Sequence, residues 1–161
     1  MEKPKNNSFL DRLLGPLSTK KITILIIILG FVFYINGLFG EFVGDDLFQI
    51  VENPFVHSLN YVWSFFVNPA SLTNYFTVFE RGFYRPVMFT SFAALYSLFG
   101  TNVFFYHLFQ LCLHISNAIL VFVLFKKFFH SKVSFLLSVI FLIHPINSEI
   151  VVYSSDLQEV F

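Results

Sequence analysis

Charged residues are scarce in this chain, at 12% of its 161 residues. Soluble domains carry about 25% charged residues, whereas here 56% of all residues are apolar and 25 are phenylalanine. A water-soluble fold of this length lacks the core volume to hide so many large apolar side chains. The shortage of charge therefore excludes an ordinary soluble domain and predicts an all-α integral membrane protein.

Cysteine and clustered positive charge are also scarce. The only cysteine, Cys112, lies inside an apolar run, which excludes a disulfide framework and a cysteine-based zinc site. Lysine and arginine balance the acids to a net charge of zero and sit in short clusters beside apolar runs. Because they form no basic face, nucleic acid is not an expected partner and the lipid bilayer is.

Three apolar runs define the predicted membrane spans. Residues 22–39 would form a helix of about 27 Å, long enough to cross the hydrocarbon core. A cleavable signal peptide is the alternative, but residues 36–39 offer no small-x-small cleavage site, which favours an uncleaved anchor. Residues 103–125 form a clear second span, and residues 133–146 form a shorter third span.

The apolar run 86–99 has 14 residues and suits an interfacial helix better than a span. Placing it at the interface also leaves the basic N-terminus and the lysines near residue 126 on the same side, as the positive-inside rule expects. The predicted organisation is a cytoplasmic segment (1–21), a first transmembrane helix (22–39), an outer loop with interfacial helices (40–102), a second transmembrane helix (103–125), a cytoplasmic turn (126–132), a third transmembrane helix (133–146) and an outer segment (147–161).

This topology brings polar residues that are distant in sequence to the outer face. Asp45 and Asp46 follow the first span, and paired carboxylates can hold a divalent cation or act as a general base. The alternative is structural, because Asp46 and Gln49 also fit a capping box that opens a short helix.

Arg85 precedes Pro86 at the start of the predicted interfacial helix. Its guanidinium is suited to bidentate binding of a phosphate, and the alternative is an anchor at headgroup depth. His144 and Glu149 follow the third span and would bind a metal or a phosphate-bearing headgroup, although their separation of five is not a diagnostic ligand spacing.

A polar stripe lies on one face of the second span. Its members recur at spacings of 3, 4 and 3: His107, Gln110, His114 and Asn117. Polar side chains inside a membrane face protein or a cavity, because exposure to lipid is costly. Hydrogen bonding between helices is the favoured interpretation of the stripe.

The order of these motifs resembles a known family. Asp45-Asp46, then ENPFV, FYRP, YHLFQLCLHISNAIL and HPINSEIVVY, are similar to the N-terminal region of GT-C class membrane glycosyltransferases, over residues 31–161. The likeness is to the transmembrane, tetratricopeptide-containing O-mannosyltransferase-like proteins and their bacterial relatives. Gln110 stands where relatives often have Asn.

The resemblance implies sugar transfer on the outer or lumenal face from a polyprenyl- or dolichyl-phosphate donor to a protein or glycan that the sequence does not identify. Asp45 or Asp46, with Asp45 favoured, would be the base, and both are candidates to hold a divalent metal cofactor. Arg85 would lie near the donor phosphate, with His144 and Glu149 lining the outer cavity. A cation near the leaving phosphate makes electrostatic sense.

Proteins of that family have more spans and often a soluble C-terminal module. We therefore expect the chain to be the N-terminal portion of a longer multi-spanning enzyme and to be inactive alone. The alternative is a non-catalytic remnant or partner subunit that packs with another membrane protein. A transporter subunit has no support, because the spans lack charged residues. A bacterial inner membrane is favoured over the endoplasmic reticulum.

Overall fold

The computed structural model describes residues 18–68, 84–147, 151, 153, 154 and 157, so Glu149 lies outside the described residues. These residues form helices and no strand, which confirms the predicted all-α class for this part of the chain. The α-helices are α1 (Thr19–Tyr34), α2 (Val62–Val67), α3 (Pro86–Phe99), α4 (Val103–Phe125) and α5 (Ser131–Ile143). The shorter helical turns are Ile35–Phe39, Leu47–Val51, Pro54–His57, Leu59–Tyr61 and Pro145–Asn147.

Among the described residues, two helical segments are long and apolar enough to cross a membrane. One is α1 with its 3-10 continuation, Thr19–Phe39, of 21 residues, and the other is α4, of 23 residues. Each begins at a polar cap: the Ser18 hydroxyl accepts from the amide of Lys21 (3.4 Å), and the Asn102 side chain accepts from the amide of Phe104 (3.2 Å). The first helix therefore starts earlier than the apolar run from which it was predicted.

The other two apolar helices are shorter. Helix α3 has the predicted bounds and 14 residues, and α5 has 13 residues. At about 1.5 Å per residue, both measure roughly 20 Å, less than the thickness of the hydrocarbon core. The third transmembrane span and the interfacial position of α3 stay predictions.

Helices α1, α4 and α5 pack against one another and form a three-helix bundle. Gly30 brings α1 close to α4, because a Cβ atom at this position would lie 2.5 Å from Cγ1 of Ile115. Small residues allow such close approach between membrane helices. The buried apolar residues of the bundle are Ile22, Ile26, Tyr34, Leu38, Leu111, Ile115, Ala118, Phe122, Leu142 and Val151.

A second apolar cluster lies beside the start of α4. Helix α3 packs against α2 and the turn Pro54–His57, and also contacts α4. Its buried members are Ile50, Val56, Phe65, Met88, Phe89, Phe92, Ala93, Leu95, Tyr106 and Leu157. This outer cluster, as we call it, packs part of the described segment 40–68 against α3 and the start of α4.

Candidate functional site

The two aspartates follow a sharp turn after the first span. Gly44 has a φ of +57°, a conformation that residues other than glycine adopt at a cost. The side chain of Asp45 is exposed, whereas that of Asp46 is completely buried. The adjacent carboxylates therefore lie in different environments, a difference that the dipeptide sequence does not reveal.

Both aspartates contact the chain that follows α5. The backbone N–H of Asp45 donates to the hydroxyl oxygen of Tyr153 at 3.0 Å. The backbone N–H of Ser154 donates to Oδ2 of Asp46 at 3.2 Å. These bonds join positions 108 residues apart, so the structure brings the loop after the first span and the segment after α5 together, as the predicted topology requires.

Helix α4 contributes two polar side chains that bond to the segments around these contacts. The side-chain amide of Gln110 donates to the carbonyl of Tyr153 at 2.9 Å, and Nδ1–H of His107 donates to the carbonyl of Gly37 at 2.9 Å. Both side chains are buried. His107 thus bonds to the segment that precedes the aspartates, and Gln110 bonds to the segment after α5 that contacts them.

Some buried polar atoms at this end of the molecule make no hydrogen bond. In the described part of the chain they include Oε1 of Gln49, Nε2 of His107 and Oγ of Ser154. Leaving such an atom unsatisfied costs about 1–3 kcal/mol, and buried polar groups in native proteins nearly always have a partner. Unsatisfied polar atoms beside a buried carboxylate are typical of a site that receives a polar ligand or ordered water.

The capping-box interpretation of Asp46 and Gln49 is wrong. Asp46 precedes a π-helical turn, Leu47–Val51, but its side chain makes no capping hydrogen bond to that turn. Its carboxylate instead accepts the amide of Ser154. The long-range contact therefore replaces the local one, because a buried carboxylate must find strong donors.

The third member of the stripe holds helices together. Nε2–H of His114 donates to the carbonyl of Leu142 at 3.0 Å, and the Tyr34 hydroxyl donates to the same oxygen at 2.7 Å. Leu142 is in the last turn of α5, where carbonyls lack partners within the helix. His114 thus makes an interhelical hydrogen bond, one of the two interpretations that the spacing left open.

Asn117, the last member of the stripe, is half-buried and faces a cavity. The cavity has a volume of about 490 Å³ and is bordered mainly by α4, with Phe141 of α5. Lys127 also lines it. The stripe therefore divides into a part near the aspartates, a part that bonds to α5 and a part that faces a cavity.

His144 takes part in ending α5. Pro145 has no N–H for the carbonyl of Phe141, and the side-chain amide of Asn147 donates to that carbonyl instead, at 2.8 Å. Nδ1 of His144 accepts the backbone N–H of Ile146 at 3.3 Å. The His-Pro-Ile-Asn sequence is thus a helix-ending motif, and a role for His144 in the outer cavity stays a prediction.

Arg85 lies immediately before α3, and its side chain is half-buried. Its carbonyl accepts the amide of Phe89 at 3.2 Å, in the first turn of the helix. The guanidinium is thus carried by the N-terminus of a helix that packs into the outer cluster. Phosphate binding by Arg85 stays a prediction.

Three or more His, Cys, Asp or Glu side chains placed to hold a metal do not occur together within residues 18–68 and 84–147. Asp45 and Asp46 supply carboxylate oxygens of the kind that Mg²⁺ or Ca²⁺ prefers, but Oδ2 of Asp46 already accepts a backbone amide. A divalent cation at this pair stays a prediction.

Three residues of the site were not singled out from the sequence. Tyr153 and Gly44 form the contact around Asp45, and Asn147 completes the end of α5. The positive φ of Gly44 and the partner of Tyr153 depend on the tertiary fold. Asn147 had a usable signal, because an amide two residues after a proline can replace the N–H that proline lacks.

The chain is similar to animal O-mannosyl-transferases. It is 31% identical over 121 residues to protein O-mannosyl-transferase TMTC1 of Mus musculus, covering 73% of this chain and 13% of that protein. It is 27% identical over 135 residues to TMTC3 of Homo sapiens, covering 84% and 15%. Protein O-mannosyl-transferase F38B6.6 of Caenorhabditis elegans is 27% identical over 132 residues, covering 80% and 19%. No protein-family model and no solved structure matches the chain.

The fold and these similarities define a class: a helical membrane protein related to GT-C-like glycosyltransferases. Within that class, the similarity is to the O-mannosyl-transferases just described, and the aligned region contains 121–142 residues. The chain spans 13–19% of the length of these relatives.

Proposed function

We propose that this chain is the N-terminal portion of a multi-spanning GT-C membrane glycosyltransferase. The enzyme would transfer a hexose, mannose by analogy with the relatives, from a polyprenyl- or dolichyl-phosphate donor to a hydroxyl of a protein or glycan on the outer face. The observation that carries the proposal is the exposed Asp45 beside the buried, hydrogen-bonded Asp46 in a loop fixed to the end of the bundle.

The different environments of the two carboxylates suggest different roles. Asp45 is exposed, so its carboxylate is accessible to an acceptor hydroxyl and can remove its proton. Asp46 is buried and holds the amide of Ser154, which suits a residue that keeps the loop in place. The proposal therefore assigns the base to Asp45 and a supporting role to Asp46.

The reaction would be a substitution at the anomeric carbon. The acceptor oxygen loses its proton to Asp45 and bonds to that carbon, while the bond between the carbon and the donor phosphate oxygen breaks. Negative charge then develops on the leaving polyprenyl phosphate. A guanidinium stabilises such charge, and Arg85 is the candidate for this role.

The test uses the longer native protein that carries this segment, purified in detergent and given mannosyl-polyprenyl phosphate and an acceptor mixture from its own host. We expect Asp45→Asn to reduce turnover by about a thousandfold, the order of magnitude of losing a general base and its charge. Glu41→Gln is the matched control, since Glu41 is an exposed acid four residues earlier, and it should retain activity.

Full turnover in Asp45→Asn would overturn the assignment of the base, and full turnover in Asp46→Asn as well would overturn any role of the pair in the reaction. A wild-type protein that transfers no sugar but purifies with a second membrane protein would support the alternative of a partner subunit. Membrane fractionation of the native host tests the compartment, for which the proposal keeps the bacterial inner membrane.

A further inference from the structure

We infer that Tyr153 is a positioning residue for Asp45, so that the segment after α5 controls the geometry of the catalytic loop. This inference rests on the proposed function. Its basis is the hydrogen bond from the amide of Asp45 to the Tyr153 hydroxyl, 3.0 Å long. The bond fixes the backbone of Asp45 and leaves its carboxylate exposed for the acceptor.

Tyr153 is itself held by α4. Its carbonyl accepts the side-chain amide of the buried Gln110 at 2.9 Å, and the next amide, that of Ser154, donates to Asp46. The dipeptide Tyr153-Ser154 therefore links the second membrane helix to both aspartates. A side chain fixed at its backbone can hold a loop in one geometry, which is the arrangement that preorganised sites need.

Gly44 makes this contact possible. A Cβ atom at Gly44 would lie 2.5 Å from the Tyr153 hydroxyl oxygen, a distance that real Cβ atoms essentially never show. A side chain at position 44 would therefore displace the hydroxyl from its contact with the amide of Asp45, because the hydroxyl oxygen is the nearest atom. Two independent observations therefore favour glycine at position 44: its positive φ and its closeness to Tyr153.

The first experiment compares Tyr153→Phe with the native full-length enzyme. Removing the hydroxyl should lower kcat about tenfold while the KM for the donor stays the same, because small misplacement of a reacting group slows chemistry more than binding. Tyr106→Phe is the matched control, since its hydroxyl also bonds to a backbone group, donating to the carbonyl of Gly100 at 2.9 Å. The control should leave kcat unchanged.

The second experiment uses the glycine. Gly44→Ala should lower kcat as Tyr153→Phe does, whereas Gly100→Ala should not. Gly100 has a similar φ of +60°, but a methyl group added there would meet no atom within 4 Å, so this variant reports backbone strain alone. In the double variant Gly44→Ala/Tyr153→Phe, the alanine should cost less than it does alone, because the clashing oxygen is gone.

A third readout does not depend on activity. Hydrogen exchange at the amide of Asp45 should be faster in Tyr153→Phe than in the native protein and unchanged in Tyr106→Phe. An unchanged kcat in Tyr153→Phe, or additive effects in the double variant, would overturn the inference while the Asp45→Asn result still supports the function. A native protein without transferase activity would instead overturn the proposed function and, with it, the catalytic role of this contact.

Discussion

The hydroxyl of Tyr34 donates a hydrogen bond of 2.7 Å to the backbone carbonyl of Leu142, linking the first span to the end of α5. His114 donates to the same oxygen from α4. The rings of Tyr34 and His114 also meet edge to face, with centroids 5.7 Å apart. One carbonyl thus joins the three helices of the bundle.

Because two donors share this carbonyl, the variants Tyr34→Phe and His114→Phe should not be additive. Each alone should lower the free energy of unfolding by about 0.5 kcal/mol, the average for such bonds in membranes. Together they leave the oxygen unsatisfied and should cost about 2 kcal/mol. The measurement is the free energy of unfolding by denaturant, in detergent, of the native protein, the two single variants and the double variant.

The control cycle pairs Tyr34→Phe with Ser116→Ala. Ser116 is exposed and its hydroxyl bonds to the carbonyl of Cys112 in its own helix. Their effects should add. Additive behaviour of Tyr34 and His114 would contradict the shared acceptor.

Gly30→Ala should destabilise the bundle, although alanine favours helices over glycine by about 1 kcal/mol. The new methyl would meet Cγ1 of Ile115 at 2.5 Å, and overpacking costs about 1–3 kcal/mol. In an Ile115→Ala background the methyl has space, so the same change should become neutral or stabilising. Thermal unfolding of the native protein, the two single variants and the double variant gives the sign in each background. A change of equal size in both backgrounds would exclude the close approach.

Asn147→Asp should lower stability by about 1 kcal/mol, because aspartate has no N–H to donate to the carbonyl of Phe141. Asn147→Ala should cost a similar amount. Denaturant unfolding is the measurement. If Asn147→Asp is as stable as the native chain, the amide does not replace the N–H that Pro145 lacks.

Cysteines at positions 45 and 130 should be labelled from opposite sides of the membrane. The amide of Asp45 bonds to Tyr153, and Tyr153 bonds to Gln110 in the first half of α4. His130 follows the other end of α4. Helix α4 has 23 residues and is about 35 Å long, enough to separate the two positions by a bilayer.

The experiment needs the exposed Cys112 replaced by serine first. Asp45→Cys and His130→Cys, which replace exposed residues, are then treated with a maleimide that does not cross membranes, in intact and in opened vesicles. Labelling of both positions from one side would refute the predicted topology.

The sequence was most informative for the helices. The bounds of α3 and α4 follow from apolar runs closed by Gly100 and by Lys126, and the structure has the predicted residues. The predicted start of α1 is too late, because Ser18 caps three polar residues that precede the apolar run. The predicted end of the third span, at residue 146, is too late. Helix α5 ends at Ile143, because Pro145 has no N–H to continue the helix.

For the site, the sequence determined which residue types are present and predicted that the membrane gathers them at one end. Composition and run length carry this prediction, because spanning helices are mostly apolar and their polar residues lie near the ends or face protein. It did not distinguish Asp45, which is exposed, from Asp46, which is buried and accepts the amide of Ser154. The tertiary structure decided that difference, because the amides of Asp45 and Ser154 found their partners 108 residues away, and no local pattern in a sequence encodes a contact of that range.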